Sequence, residues 1–276
     1  MIATFKFNDF NIGDPYNPPH NTLFFATSKS KSFSKENYAI KKLEFYDPGS
    51  FKTNEDNLKS LCQSVRSASI LKPEAIANDG LEIFILYEKM KCDLSELIQN
   101  NDRKRMKFTP DEMKVFLKQI TLALEELENK QIAHTNLKPK NILISMEGDY
   151  KLVDVGIQSM NEDNDFKAPE AIVKSKSGNI NLHKSDVFSL GLILVQMMTL
   201  RSSKELGGFK QNGYKLVEEV FEEIRENYGK DMQKIVKDML DLSDSRRKSM
   251  KQMRDDLEAI YNSVNEQKVI FFFKIS

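Results

Sequence analysis

Near residue 88 the hydrophobic pattern changes period, and that change constrains the fold more than any other feature of the sequence. Before it, short β-type runs dominate: Phe5–Phe10, Leu23–Thr27 and Tyr38–Phe45, separated by Pro, Gly, Asn and Ser. A helix is expected over Asn54–Ser69, and the apolar run Leu81–Tyr87 reads as a buried strand. Glu88–Cys92 is a short polar connection, and beyond it apolar residues recur at helical spacing. A β-rich first third joined by a hinge to a helical remainder predicts two lobes with a cleft between them.

The helical part has internal punctuation. Asp93–Gln99 reads as a short amphipathic helix. At Thr109-Pro110-Asp111-Glu112 the threonine can cap, the proline suits the first turn and Glu112 can close a capping box. Met113, Phe116, Leu117, Ile120, Leu124 and Leu127 then form one apolar stripe, which is core. Ile142–Ser145 and Tyr150–Val153 read as two strands around the turn Met146-Glu147-Gly148-Asp149. Val187–Leu200 is apolar nearly all round, the signature of a helix buried within a lobe. Further helices are expected over Lys215–Tyr228, Asp231–Leu240 and Ser249–Val264. The tail from Lys268 carries Ile270-Phe271-Phe272-Phe273, which either packs back on the domain or docks elsewhere.

Charge and composition remove several function classes. The 276 residues hold 41 basic and 41 acidic side chains, so the net charge is zero and gives no electrostatic reason to expect nucleic acid or an anionic membrane as partner. No apolar stretch is long enough to span a bilayer, and the first residues lack the pattern of a signal peptide. Cys62 and Cys92 suggest neither a metal site nor a disulfide framework, so reduced thiols in a cytoplasmic setting are expected.

The segment His134-Thr135-Asn136-Leu137-Lys138-Pro139-Lys140-Asn141 resembles the protein-kinase catalytic loop H-R-D-L-x-x-x-N. It follows a long amphipathic helix and precedes a strand pair. Other landmarks come in order. Tyr38-Ala39-Ile40-Lys41 resembles V-A-I-K, Asp154-Val155-Gly156 resembles D-F-G, and Ala168-Pro169-Glu170 matches A-P-E. Ser185–Gly191 resembles the start of the buried central helix of the larger lobe, and Arg247 stands where the family pairs an arginine with the A-P-E glutamate. The resemblance covers roughly residues 5–262 and implies an α+β, two-lobed protein-kinase-like fold. Its parts would be an N-lobe over 1–88, a hinge over 89–92, a helical C-lobe over 93–264 and an apolar tail over 265–276.

What phosphoryl transfer needs can be set against these residues. Lys41 would grip nucleotide phosphates, Asp154 and Asn141 would hold Mg²⁺, Glu88 would be the first hinge residue and Tyr87 the gatekeeper. Lys138 belongs to the same catalytic loop. Asn136 stands at the catalytic aspartate's position. Its amide accepts a hydrogen bond but takes no proton at neutral pH, and a general base typically contributes about 10²–10⁴-fold in rate. The stretch from Asn11 to Asn21 replaces a G-x-G-x-x-G loop with one glycine and three prolines, which have no N–H for phosphate. Gln63 is expected opposite Lys41, with Glu55 an alternative about two turns earlier, and Thr135 replaces the arginine that receives an activation-loop phosphate. The segment Ile157–Lys167 is short, with Ser159 its only hydroxyl residue.

The resemblance therefore implies a pseudokinase, a scaffold or allosteric regulator with weak or no ATP binding, whose partner is another signalling protein or a true kinase. The alternative is a weak or atypical ATP/Mg-dependent serine/threonine kinase. A third reading is a binding module without nucleotide, using its apolar tail.

Overall fold

The computed structural model describes residues 2–16, 23–29, 33, 37–157, 164–172, 180–202, 205 and 215–260. Both lobes are present. In the N-lobe, β1 (Ala3–Thr4), β2 (Phe10–Tyr16), β3 (Leu23–Ser28), β4 (Asn37–Glu44), β5 (Ala75–Asp79) and β6 (Glu82–Glu88) form a six-stranded sheet. The strand order is β1-β5-β6-β4-β3-β2, antiparallel except for β1 beside β5. Lys41 pairs with Ile85 in the β4–β6 register. The period of two puts Ala39, Lys41 and Leu43 on one face of β4. The opposite face carries Tyr38 and Ile40 into an aromatic core with Phe5, Phe10 and Phe84.

Two expectations for this lobe need correction, and one strand goes beyond them. Phe5–Phe10 is no strand. Residues 7–9 form a short 3₁₀ turn in which Lys6 N–H donates to Asp9 Oδ2 (3.2 Å), and the strand begins at Phe10. The helix expected over Asn54–Ser69 is α1, Pro48–Ser64. Its start is set by Asp47, whose Oδ1 accepts from Ser50 N–H (2.8 Å), followed by Pro48 in the first turn. It ends because Val65 turns extended and is fully buried. Strand β5 was not anticipated, its few apolar residues being shared with polar Asn78 and Asp79.

Lys89–Lys91 connects β6 to β7 (Cys92–Asp93), which joins β8 (Ile142–Ile144) and β9 (Tyr150–Leu152) in a small sheet. Helix α2 (Leu94–Arg103) is capped by Asp93, and α3 (Pro110–Asn129) has the expected capping box. There Thr109 Oγ1 accepts from Glu112 N–H (3.2 Å) and Glu112 Oε2 accepts from Thr109 N–H (2.7 Å). After α4 (Pro169–Ile172), helix α5 (Leu182–Thr199) is buried on every side over Ser185–Val195, as its uniform apolarity implied. Gly191 lets α5 approach the last helices. A Cβ there would meet Met239 Cβ and Leu240 Cδ2, each at 2.9 Å. The end of the described chain holds α6 (Lys215–Tyr228), α7 (Lys230–Met239) and a helix over residues 250–260. The apolar tail and Ser159 lie outside the described residues.

The lobes are also joined behind the hinge. Glu126 of α3 accepts from the N–H groups of Arg66 (2.6 Å) and Ser67 (2.7 Å), just past α1. Leu71 N–H donates to Leu152 O (2.8 Å), and Leu152 N–H to Ser69 O (2.8 Å).

Candidate nucleotide cleft

The loop after α3 is set by two buried knots. In the first, Asp186 of α5 accepts from the backbone N–H of His134 (2.7 Å) and Thr135 (2.9 Å). Thr135 has φ +66°, a region that β-branched residues avoid, so the carboxylate over-determines a strained conformation. Burial pushes the Asp186 carboxyl up to about 7, against these two donors. His134 is fully buried, neither ring nitrogen has a hydrogen-bond partner among the described residues, and desolvation holds its pKa down to about 4. In the second knot, Asn141 Nδ2 donates to Asn136 O (2.8 Å), Asn141 N–H to Lys138 O (2.9 Å) and Val153 N–H to Asn141 O (3.0 Å).

Above this loop lies a cleft of about 420 Å³ between the lobes. Leu23, Phe25 and Ala39 line it from the sheet side, and Leu143 and Val153 from the C-lobe side. Tyr87, Glu88 and Met90 line the strand-to-hinge edge. Tyr87 is 4% exposed, and burial holds its phenol far above the ordinary tyrosine range, so it stays neutral.

Of the residues singled out from sequence, Lys41, Glu88, Asn141 and Asp154 meet in this cleft. Asn136 does not line it. Asn136 is 8% exposed and Lys138 is half-buried. Lys41 Nζ forms an ion pair with Asp154 Oδ2. The other carboxylate oxygen, Asp154 Oδ1, is buried with no hydrogen-bond partner among the described residues. Asp154 has φ +63° and Gly156 φ +67°, so the turn that carries this carboxylate is tightly constrained. An orphaned carboxylate oxygen near a carboxamide is a donor set that suits a hard cation such as Mg²⁺.

The partner expected for Lys41 is corrected. Gln63 lies on the far face of α1, lining a surface groove with Ile2, Phe5, Lys59 and Asn78. Glu55 is there too, engaged by Lys52, Lys59 and Asn78, which hold its carboxyl down to about 2. The α1 side chain turned toward the core beside the cleft is Leu58, fully buried with Leu43, Ile83, Ile85, Tyr87 and Val153. The apolar cluster leaves no carboxylate of α1 there, and Lys41 pairs with Asp154 instead. The sequence gives no role to Asn57, whose Nδ2 donates to Gly156 O (2.9 Å), or to Lys140, which lies within the loop motif and lines the cleft. A single Asn on a helix carries no sequence signal.

Of the expected phosphate-covering stretch, Asn11–Tyr16 is strand β2, with a register shift between Ile12 and Pro15, and residues 17–21 lie outside the described residues. Glu170 and Arg247 meet as the resemblance implied, through Nη1–Oε1 (2.7 Å) and Nη2–Oε2 (2.9 Å) bonds.

Comparison with known proteins agrees with this geometry. A family model described as Protein kinase domain matches residues 28–257. Mitogen-activated protein kinase 5 of Arabidopsis thaliana is 24% identical over 218 residues, covering 70% of this chain and 55% of that protein. Mitogen-activated protein kinase 6 of the same plant is 25% identical over 212 residues, covering 69% and 52%. Cyclin-dependent kinase F-3 of Oryza sativa subsp. japonica is 26% identical over 148 residues, covering 50% and 33%. The chain thus spans about half the length, or less, of these curated relatives. Members of the family use ATP and Mg²⁺. With two lobes, an interlobe cleft holding the motif residues, and a family match over most of its length, this chain belongs to the protein kinase family.

Proposed function

We propose that this chain is a catalytically impaired protein kinase, a pseudokinase, acting in the cytoplasm as a scaffold or allosteric regulator of another signalling protein or a true kinase. The observation that carries the proposal is Asn136, an amide where the family places the carboxylate that orients and deprotonates the substrate hydroxyl. Asn136 could accept a hydrogen bond from that hydroxyl, but the proton would have no base to go to. Leu58 supports the reading, since α1 brings no carboxylate to fix Lys41. So does Asp14-Pro15 in β2, which offers a negative charge and a residue without N–H where phosphate would need donors.

Nucleotide binding, where it occurs, would be weak. Asp154 and Asn141 would hold Mg²⁺, whose role is to neutralise charge on the phosphate oxygens. Lys41 would have to leave Asp154 Oδ2 to meet those phosphates. Glu88 and the backbone around Met90 would face the base.

The alternative is a weak or atypical serine/threonine kinase. It is favoured by one observation: Lys41, Asn141 and Asp154 line one cleft, and Asp154 Oδ1 has no partner among the described residues. Thermal shift with ATP separates the two readings. Little or no stabilisation at millimolar Mg·ATP supports the first. A shift that requires Mg²⁺ and vanishes in Asp154→Ala, together with phosphate transfer above the Lys41→Ala background, supports the second.

A further inference from the structure

Asn57 lies outside every motif discussed above, yet its side chain spans the two lobes. From the middle of α1, its Nδ2 donates to Gly156 O at 2.9 Å. The same Gly156 gives its N–H to His134 O (3.3 Å), on the C-lobe side. The two peptide groups flanking one residue, Gly156, are therefore held from opposite lobes. Ile157 N–H closes the turn on Asp154 O (3.3 Å), and the Ile157 side chain is buried in the core that contains Leu58, the residue after Asn57. The far end of α1 is fixed independently, since Glu126 of α3 accepts from Arg66 and Ser67 N–H.

We propose that Asn57 is a positioning residue. Its carboxamide ties α1 to Gly156 and so holds the Asp154–Gly156 turn in one arrangement, without nucleotide and without a Lys41–carboxylate pair from α1. The turn needs such a tie. Asp154 and Gly156 both have positive φ, and Asp154 is not glycine, so this backbone relaxes unless its surroundings restrain it. The chemistry is also specific. A carbonyl accepts only from a donor, so Asn serves here where an ionised Asp of the same shape would repel Gly156 O. The tie works whether or not the chain transfers phosphate, and its failure would leave the functional reading above untouched.

The test is hydrogen exchange on the full chain, comparing wild type with Asn57→Leu and Asn57→Asp at pH 7. A half-buried hydrogen bond has a net worth of about 1 kcal/mol, which corresponds to roughly fivefold in a local opening equilibrium. Exchange at residues 154–157 is expected to rise by at least that factor in both variants, with the amides of α3 unchanged. Lowering the pH to 4 protonates much of the carboxyl introduced by Asn57→Asp and gives it an O–H to donate. Its exchange ratio to wild type should then fall back toward one, while that of Asn57→Leu stays high. Unchanged protection at 154–157 in both variants would overturn the proposal. So would a rise shared equally by α3, or an Asn57→Asp ratio at residues 154–157 that ignores pH. Asn57→Asp is nearly the same size as the native residue, so it keeps the experiment decisive if Asn57→Leu does not fold.

Discussion

Two ion pairs stand in this molecule where the family has functional landmarks, and they are built in opposite ways. Arg247 has a fully buried side chain whose three nitrogens are all engaged. Its Nε donates to Asp241 O (2.6 Å), its Nη1 to Glu170 and to Lys184 O (2.9 Å), and its Nη2 to Glu170, while the guanidinium lies 4.9 Å from the Phe188 ring centroid. Lys41 and Asp154, in the cleft, make one ion pair and leave one carboxylate oxygen without a partner among the described residues. The first arrangement is saturated, so the fold depends on it. The second is open, so a ligand or a lost function can alter it at little cost to folding. Asn136 belongs beside the second: its backbone carbonyl joins the structural knot with Asn141, and the fold makes no demand for a carboxylate there.

Perturbing both sides sharpens this contrast. Glu170→Gln should have the largest effect, because it leaves a buried guanidinium without its counter-charge. A loss of about 3–5 kcal/mol is expected in urea unfolding, and a loss below about 1 kcal/mol would mean that the C-lobe anchor is not structural.

His134 gives the next effect, and its sign follows from its depressed pKa, about 4 in the fold against 6.5 for an ordinary histidine. The unfolded chain takes up the proton first. The contribution is therefore complete above about pH 6.5 and is lost as pH falls toward about 4, a total of roughly 3 kcal/mol. Asp186, pushed up to about 7, acts in the opposite direction over an overlapping window. The informative quantity is thus the stability of wild type minus that of His134→Phe, in which Asp186 cancels. It should fall by about 1.4 kcal/mol per pH unit between those limits. A pH-independent difference would show that the buried imidazole is not held neutral.

Gly191→Ala should cost about 1–3 kcal/mol, since the added methyl meets Met239 and Leu240 at 2.9 Å. Asp154→Asn should be the mildest, because it also removes a charge whose Oδ1 is buried without a partner among the described residues, and the Lys41 left behind lines the cleft, whereas the Arg247 side chain is fully enclosed. A cost near that of Glu170→Gln would erase the distinction between the two pairs.

The sequence was readable where a residue type has one physical use. Thr109, Pro110 and Glu112 announced the start of α3, and the nearly uniform apolarity of Val187–Leu200 announced a helix buried on all sides. The ordered motifs located Lys41, Asn141 and Asp154, which the fold brings into one cleft. Failures came where local signals were weak or contacts distant. Helix α1 has a polar composition that masks its Asp47 cap, and its start lies six residues before the expected one. Glu126 and Asn57 act on backbone groups 59–60 and 99 residues away, and no local pattern announces such a bond.

The central claim is that a chain with this fold and this cleft does not transfer phosphate at a useful rate. The direct measurement is transfer of the γ-phosphate from Mg·ATP to a generic serine/threonine substrate mixture and to the chain itself, with wild type beside Lys41→Ala and Asn136→Asp. The account predicts that wild type matches Lys41→Ala at background, and that Asn136→Asp rises above it only as far as nucleotide binding allows. Robust wild-type transfer that disappears in Lys41→Ala would contradict it.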